Sequence, residues 1–171
     1  FFLYAALMLT TLRLYDTPQR RWFLLAGLLA GFITIIRPVD VLCLFIPLLY
    51  GVTGRRALLE RLRFFRQHAA AMGLAVLGFI VPILPQLLYW KKIAGSFLFY
   101  SYGAKQGFTW SHPRIIEGLF SAQNGWLYYT PVMLFALGGL LVLRRYAKAW
   151  LPVLLALLPV YIYIIYCWWC W

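Results

Sequence analysis

The chain has 171 residues, 64% of them hydrophobic and 12% charged, with a mean hydropathy of +0.81. A soluble domain cannot cover that much apolar surface, so the composition excludes an ordinary water-soluble enzyme and makes lipid the solvent for most side chains. Net charge is +12, but the cations cluster at the ends of apolar runs, which fits orientation in a bilayer and contact with anionic lipid rather than with nucleic acid.

The apolar runs are 1–12, 22–36, 41–53, 69–90, 126–143 and 149–169. They predict an all-α fold: a polytopic transmembrane helical bundle with about six membrane segments and interfacial amphipathic helices. The first run opens without an initiator Met, and twelve helical residues reach only about 18 Å of a roughly 30 Å hydrocarbon core. We therefore expect 1–171 to be part of one transmembrane domain truncated at both ends.

Runs 22–36 and 41–53 are separated by Arg37-Pro38-Val39-Asp40, where proline disfavours helix at the residue before it and cannot continue the ladder. Two short spans, or one span and a partly inserted helix, fit better than one helix of about 48 Å. Six crossings put Arg13, Arg20, Arg21, Arg55, Arg56, Arg61, Arg63, Arg66, Arg144, Arg145 and Lys148 on one side. The other side receives Arg37, Lys91, Lys92, Lys105 and Arg114. The richer side is cytoplasmic by the positive-inside rule.

Segment 54–68 reads as a cytoplasmic interfacial helix, with Leu58, Leu62 and Phe65 at helical spacing and Arg55, Arg63 and Arg66 able to reach phosphates; a plain cytoplasmic loop is the alternative. Pro82, Pro85, Pro152 and Pro159 fall inside spans and are expected to kink them. No charged residue lies near the middle of any run, which counts against ion-coupled transport. Cys43 reads as a packing residue, and Cys167 and Cys170 as packing residues in an aromatic belt rather than a redox pair.

Residues 91–125 form the longest non-spanning segment, read as an outer (periplasmic) loop rich in aromatics and lying along the membrane surface. Within it Ser111 is the N-cap candidate of a short amphipathic helix, with Pro113 in its first turn. Ile115, Ile116, Leu119 and Phe120 would face lipid or the bundle, while Arg114, Glu117 and Ser121 share the polar side. Asn124-Gly125 closes the segment.

Candidate substrate-binding residues are Arg37, Asp40, Lys105, Gln106, His112, Arg114, Glu117, Gln123 and Asn124. The cations suit a phosphate or pyrophosphate, Arg with forked donors and Lys as a point charge. The carboxylates either orient sugar hydroxyls or pair with Arg37 and Arg114. Lys91-Lys92 reads as a pair of snorkelling anchors. No glycine-rich phosphate loop, nucleophile elbow or zinc pattern is present, so no metal site and no cofactor is identified, a divalent cation being left open.

Three stretches carry a resemblance: Gly27-Leu-Leu-Ala-Gly-Phe-Ile-Thr-Ile-Ile-Arg-Pro-Val-Asp40, Gly118-Leu-Phe-Ser-Ala-Gln-Asn-Gly-Trp-Leu-Tyr-Tyr-Thr-Pro-Val-Met133, and Trp168-Trp-Cys-Trp171. They are similar to bacterial GT-C-type membrane glycosyltransferases of the family 39, protein-mannosyltransferase-like group. The resemblance implies an enzyme of the bacterial inner (plasma) membrane that takes a sugar from a polyprenyl-phosphate-linked donor on the periplasmic or extracellular face. It also implies a carboxylate base in a first outer loop, upstream of Phe1, so no catalytic residue is expected in this chain. Some relatives carry Pro-Arg where this sequence has Ala122-Gln123-Asn124, which shifts the expected phosphate contact to Arg114 and Arg37. Membrane lipids and the lipid-linked donor are the expected partners, with nucleic acid excluded and the oligomeric state open. A transporter or lipid flippase and a non-catalytic membrane subunit are the competing classes. A transporter predicts a midplane polar pathway and internal repeats, and neither is found.

Overall fold

The computed structural model describes residues 1–99 and 106–169. The chain is all-helical, with 78% helix and no strand among the described residues. It divides into two compact units, Phe1–Tyr100 and Ser101–Trp171.

The first unit contains α1 (Phe2–Asp16), α2 (Arg20–Ile36), α3 (Phe45–Leu49), α4 (Arg55–Gln67) and α5 (Ala69–Ala94). Helix α2 stops where proline requires. Arg37 is extended (φ −150°, ψ 108°), and Pro38 opens a 3-10 stretch, Pro38–Leu44, that leads into α3. Helix α5 runs unbroken through Pro82 and Pro85 and ends on Gly95 in the left-handed region (φ 75°). The Lys91 ammonium donates to the Gly95 carbonyl at 2.8 Å, so this lysine neutralises the negative end of the helix as well as standing exposed.

The principal contact of this unit is α2 against α5, and glycine makes it close. A Cβ on Gly27 would fall on the Ala75 backbone carbonyl; on Gly31 it would sit 2.5 Å from Phe79 O, and on Gly78 2.6 Å from Leu24 O. The two backbones approach until Cα–H groups face carbonyls, the packing that small residues four apart permit. Leu7, Phe23, Ala30, Ile33, Cys43 and Ile46 are buried within this unit. Cys43 is thus a packing residue, as its apolar surroundings predict.

The second unit contains α6 (Ile115–Phe120), α7 (Trp126–Tyr129), α8 (Met133–Tyr146) and α9 (Leu151–Cys167), α9 being preceded by a 3-10 turn, Lys148–Trp150. Run 126–143 is not one continuous helix: the chain leaves helix at Thr130-Pro131 and resumes at Met133.

Two helical stretches among the described residues, Ala69–Ala94 and Lys148–Cys167, are long and apolar enough to cross a membrane, where the sequence predicts about six. Helix α5 reaches about 39 Å and Lys148–Cys167 about 30 Å, whereas the 17 residues of α2 reach only about 26 Å. The other apolar runs are shortened by backbone: by Pro38 and the 3-10 stretch in 41–53, and by Pro131 in 126–143.

Candidate functional site

The predicted site residues fall into both units. Arg37 and Asp40 belong to the first. Arg37 is exposed, and its carbonyl accepts the Asp40 N–H at 2.8 Å, so the two are neighbours through the backbone of a turn. Gln106, His112, Arg114, Glu117, Gln123 and Asn124 belong to the second unit. Lys105 lies outside the described residues.

In the second unit a strap, residues 106–120, is fastened to the C-terminal end of α9. A helix leaves its last carbonyls without helical partners, and in an apolar setting each must find a donor. The Cys167 carbonyl accepts the Thr109 N–H at 2.7 Å and the Thr109 hydroxyl at 3.0 Å; the Tyr166 carbonyl accepts the Arg114 N–H at 3.0 Å. Beyond the helix, the Trp169 N–H donates to Gly107 O at 3.1 Å, beside an isolated antiparallel bridge between Phe108 and Trp168. The Tyr163 hydroxyl donates to Trp110 O at 2.7 Å. Rings consolidate the junction: Phe108 stacks on Trp110 and meets Trp168 edge-on, both with centroids 4.7 Å apart.

This fastening corrects the predicted helix start. Helix α6 begins at Ile115 with Arg114 as its N-cap residue and no side-chain cap, because the Thr109 to Arg114 stretch is held by α9 carbonyls rather than by Ser111. Gly118 is buried against the Tyr166 ring, so α6 sits flush on α9; of the apolar residues beside it Ile115 and Leu119 are half-buried, while Ile116 and Phe120 are 76% and 60% exposed. Replacing Gly118 by valine is therefore expected to push α6 off the ring, at a cost of about 1–3 kcal/mol. Limited proteolysis between 106 and 124 should detect it as faster cleavage than in the wild type.

Besides the apolar Trp110, Ile116 and Phe120, the strap presents polar side chains outward: His112, Arg114 and Glu117 are exposed, as are Gln123 and Asn124 in the turn that follows, and Gln106 is half-buried. The turn after α6 is tight: the Asn124 N–H donates to Ser121 Oγ at 3.3 Å, the Gly125 N–H to Ser121 O at 2.9 Å, and the Tyr129 hydroxyl to Ala122 O at 2.6 Å. Arg114 spends its backbone N–H on α9 and keeps its guanidinium on the surface, where it is available to an anionic ligand. Among the described residues no group of three His, Cys, Asp or Glu side chains could hold a metal ion.

The first unit also carries features that the run-by-run reading does not reach. An apolar cavity of about 240 Å³ is lined by Leu14, Phe23, Phe65, Met72 and Phe79 among others, and the one hydroxyl on its wall, Tyr15, is donated to Pro47 O at 2.5 Å. Beside it, the Arg61 guanidinium lies 3.6 Å above the Tyr15 ring centroid and donates to the Tyr50 carbonyl. Burial pushes the Arg61 pKa down, and the Tyr15 and Tyr50 side chains oppose that shift. Segment 54–68 is helical rather than a plain loop; Leu58 and Leu62 of its apolar series are 45% and 56% exposed, and Ala57, Arg61, Phe64, Phe65 and His68 are the less exposed positions. The His68 ring stacks on Phe23 at 5.8 Å, and Phe64 tilts against Tyr15 at 5.2 Å. Arg61 is thus an internal clamp.

No protein-family model, curated protein or solved structure matches the chain.

Proposed function

We propose that the chain is part of a membrane glycosyltransferase that moves a sugar from a polyprenyl-phosphate-linked donor to an acceptor on the non-cytoplasmic face. The observation that carries this reading is the strap of the second unit: an aromatic, hydrogen-bonded segment fastened to the end of a helix of spanning length, which leaves Arg114, His112 and Glu117 exposed, with Gln123 and Asn124 exposed in the turn after it. A lipid-linked phosphate lies at just that level, where an apolar helix ends and polar side chains begin. Membrane embedding is supported by α5, whose most apolar window is only 17% buried although it is long enough to span. A core helix of a soluble protein is covered on most sides; this one leaves Val76, Leu77, Ile80, Val81, Leu84 and Leu88 open. The other apolar runs would complete a bundle of about six segments in the inner membrane of a bacterium, with 54–68 on the cytoplasmic surface and 91–125 on the outer one.

In that chemistry an acceptor hydroxyl attacks the anomeric carbon while the bond from that carbon to the phosphate oxygen breaks. A carboxylate base takes the hydroxyl proton, and a cation stabilises the charge left on the departing phosphate. Arg114 is the residue to which we assign the last task. Gln106, His112, Glu117, Gln123 and Asn124, which belong to the same unit as Arg114, are the candidates for contacts to the sugar. In the full-length protein Arg114→Ala is expected to lower transfer from a polyprenyl-phosphate sugar about tenfold or more at subsaturating donor, since a hydrogen bond to a charged partner is worth about 1.5–3 kcal/mol. Turnover equal to the wild type would remove Arg114 from the site.

A further inference from the structure

Except for Arg37, which follows the C-terminal end of α2, the arginines of the first unit gather at one end of it. Helix α1 finishes and α2 begins there, with Arg13, Arg20 and Arg21 exposed. Helix α4 lies across the same end, because Phe64 packs on both Tyr15 and Phe23, and His68 stacks on Phe23. It adds exposed Arg55, Arg56, Arg63 and Arg66. Against these seven cations stand two exposed carboxylates, Asp16 and Glu60. At 3.6 residues per turn, Leu58, Leu59 and Leu62 share the side of α4 turned away from Phe64 and His68 with Arg55, Arg63 and Arg66, and all three leucines are exposed. The chain then passes through His68 directly into α5, the longest apolar helix.

We infer that this arginine-rich end is a contact surface for anionic phospholipid, with α4 lying in the headgroup layer, its leucines in the acyl boundary and its four exposed arginines on phosphates. Charge selects the partner: seven cations and three leucines on one open surface complement a negatively charged, partly apolar interface. Position selects it as well, since a helix joined by one residue to the start of a membrane-spanning α5 is held at the bilayer surface. Arg61 is excluded from the role by its internal clamp on Tyr15 and Tyr50. The inference rests on the membrane embedding proposed above and not on the sugar-transfer site.

The test uses the full chain in bilayers that hold a trace of spin-labelled phosphatidylglycerol or spin-labelled phosphatidylcholine. The motionally restricted fraction of each probe gives the preference of the protein surface for anionic over zwitterionic lipid. The wild type is expected to prefer phosphatidylglycerol, and salt to weaken the preference. Changing Arg55, Arg56, Arg63 and Arg66 together to glutamine should reduce it at least about fivefold, the equivalent of one contact at roughly 1 kcal/mol. The same four positions changed to lysine should retain it. Equal restriction of both probes by the wild type would overturn the inference. So would a preference that survives the glutamine set, or one lost in the lysine set. If neither probe is restricted, membrane embedding itself fails.

Discussion

Gly27→Leu is expected to disrupt the first unit, with a loss of at least about 3 kcal/mol, because a side chain there has nowhere to go. The atoms it meets are the Ala75 carbonyl group and the backbone around it, which cannot rotate aside as a flexible side chain would. To admit even a methyl group, α2 and α5 must separate. That movement also opens the neighbouring approaches of Gly31 to Phe79 and of Gly78 to Leu24, so one substitution loosens the whole seam. Gly73→Leu is the matched control: it lies on α5 too, yet a Cβ there meets nothing within 4 Å. Thermal unfolding in detergent, followed by fluorescence-detected size exclusion, should show a large fall in midpoint for Gly27→Leu and little change for Gly73→Leu. Equal midpoints for Gly27→Leu and wild type would mean that the two helices do not meet as described.

Arg61→Ala carries the second large effect, an expected loss of about 2–4 kcal/mol. The hydrogen bond from the guanidinium to Tyr50 O accounts for about 1.5–3 kcal/mol, and its position over the Tyr15 ring for about 0.5–2. Part of this is offset in the wild type, because Arg61 Nε is buried with no hydrogen-bond partner. Lysine should restore little, since it has neither the planar group that lies flat on a ring nor the fork of donors. Amide hydrogen exchange across 55–67 is the sensitive readout: the alanine and lysine variants should both exchange faster there. An unchanged pattern in Arg61→Ala would show that the clamp holds nothing.

Much of the helical architecture is legible in the chain, and the places where it is not have physical causes. Long apolar runs predict helices, and Arg37-Pro38 marks its boundary by steric rules that act within two residues. Continuous helices of spanning length are fewer than the apolar runs among the described residues because hydropathy reads composition and not backbone continuity: Thr130-Pro131 divides a run that looks uniform. The residues by which α4 packs on the unit are not legible, because helical spacing marks Leu58, Leu62 and Phe65 without saying what lies beneath the helix. Here the partners are aromatic rings on α1 and α2, which favour Phe64, His68 and a stacked Arg61 over Leu58 and Leu62. Gly27 and Gly31 announce a close helix contact by spacing alone, but nothing in the sequence says that Ala75 and Phe79 lie opposite them. Of the candidate site, the polar character of Arg114, Glu117 and Asn124 is legible. Their fastening to α9 is not, because most of it runs through main-chain atoms that every residue possesses.

That fastening has a consequence for how the segment can diversify. The amide groups of Thr109, Arg114 and Trp169 and the carbonyls of Gly107, Tyr166 and Cys167 do much of the holding, with the Thr109 and Tyr163 hydroxyls and the stacked rings, so the exposed side chains at 112, 114 and 117 are not what fastens the segment. Residues can therefore be exchanged at those positions while the platform beneath stays constant.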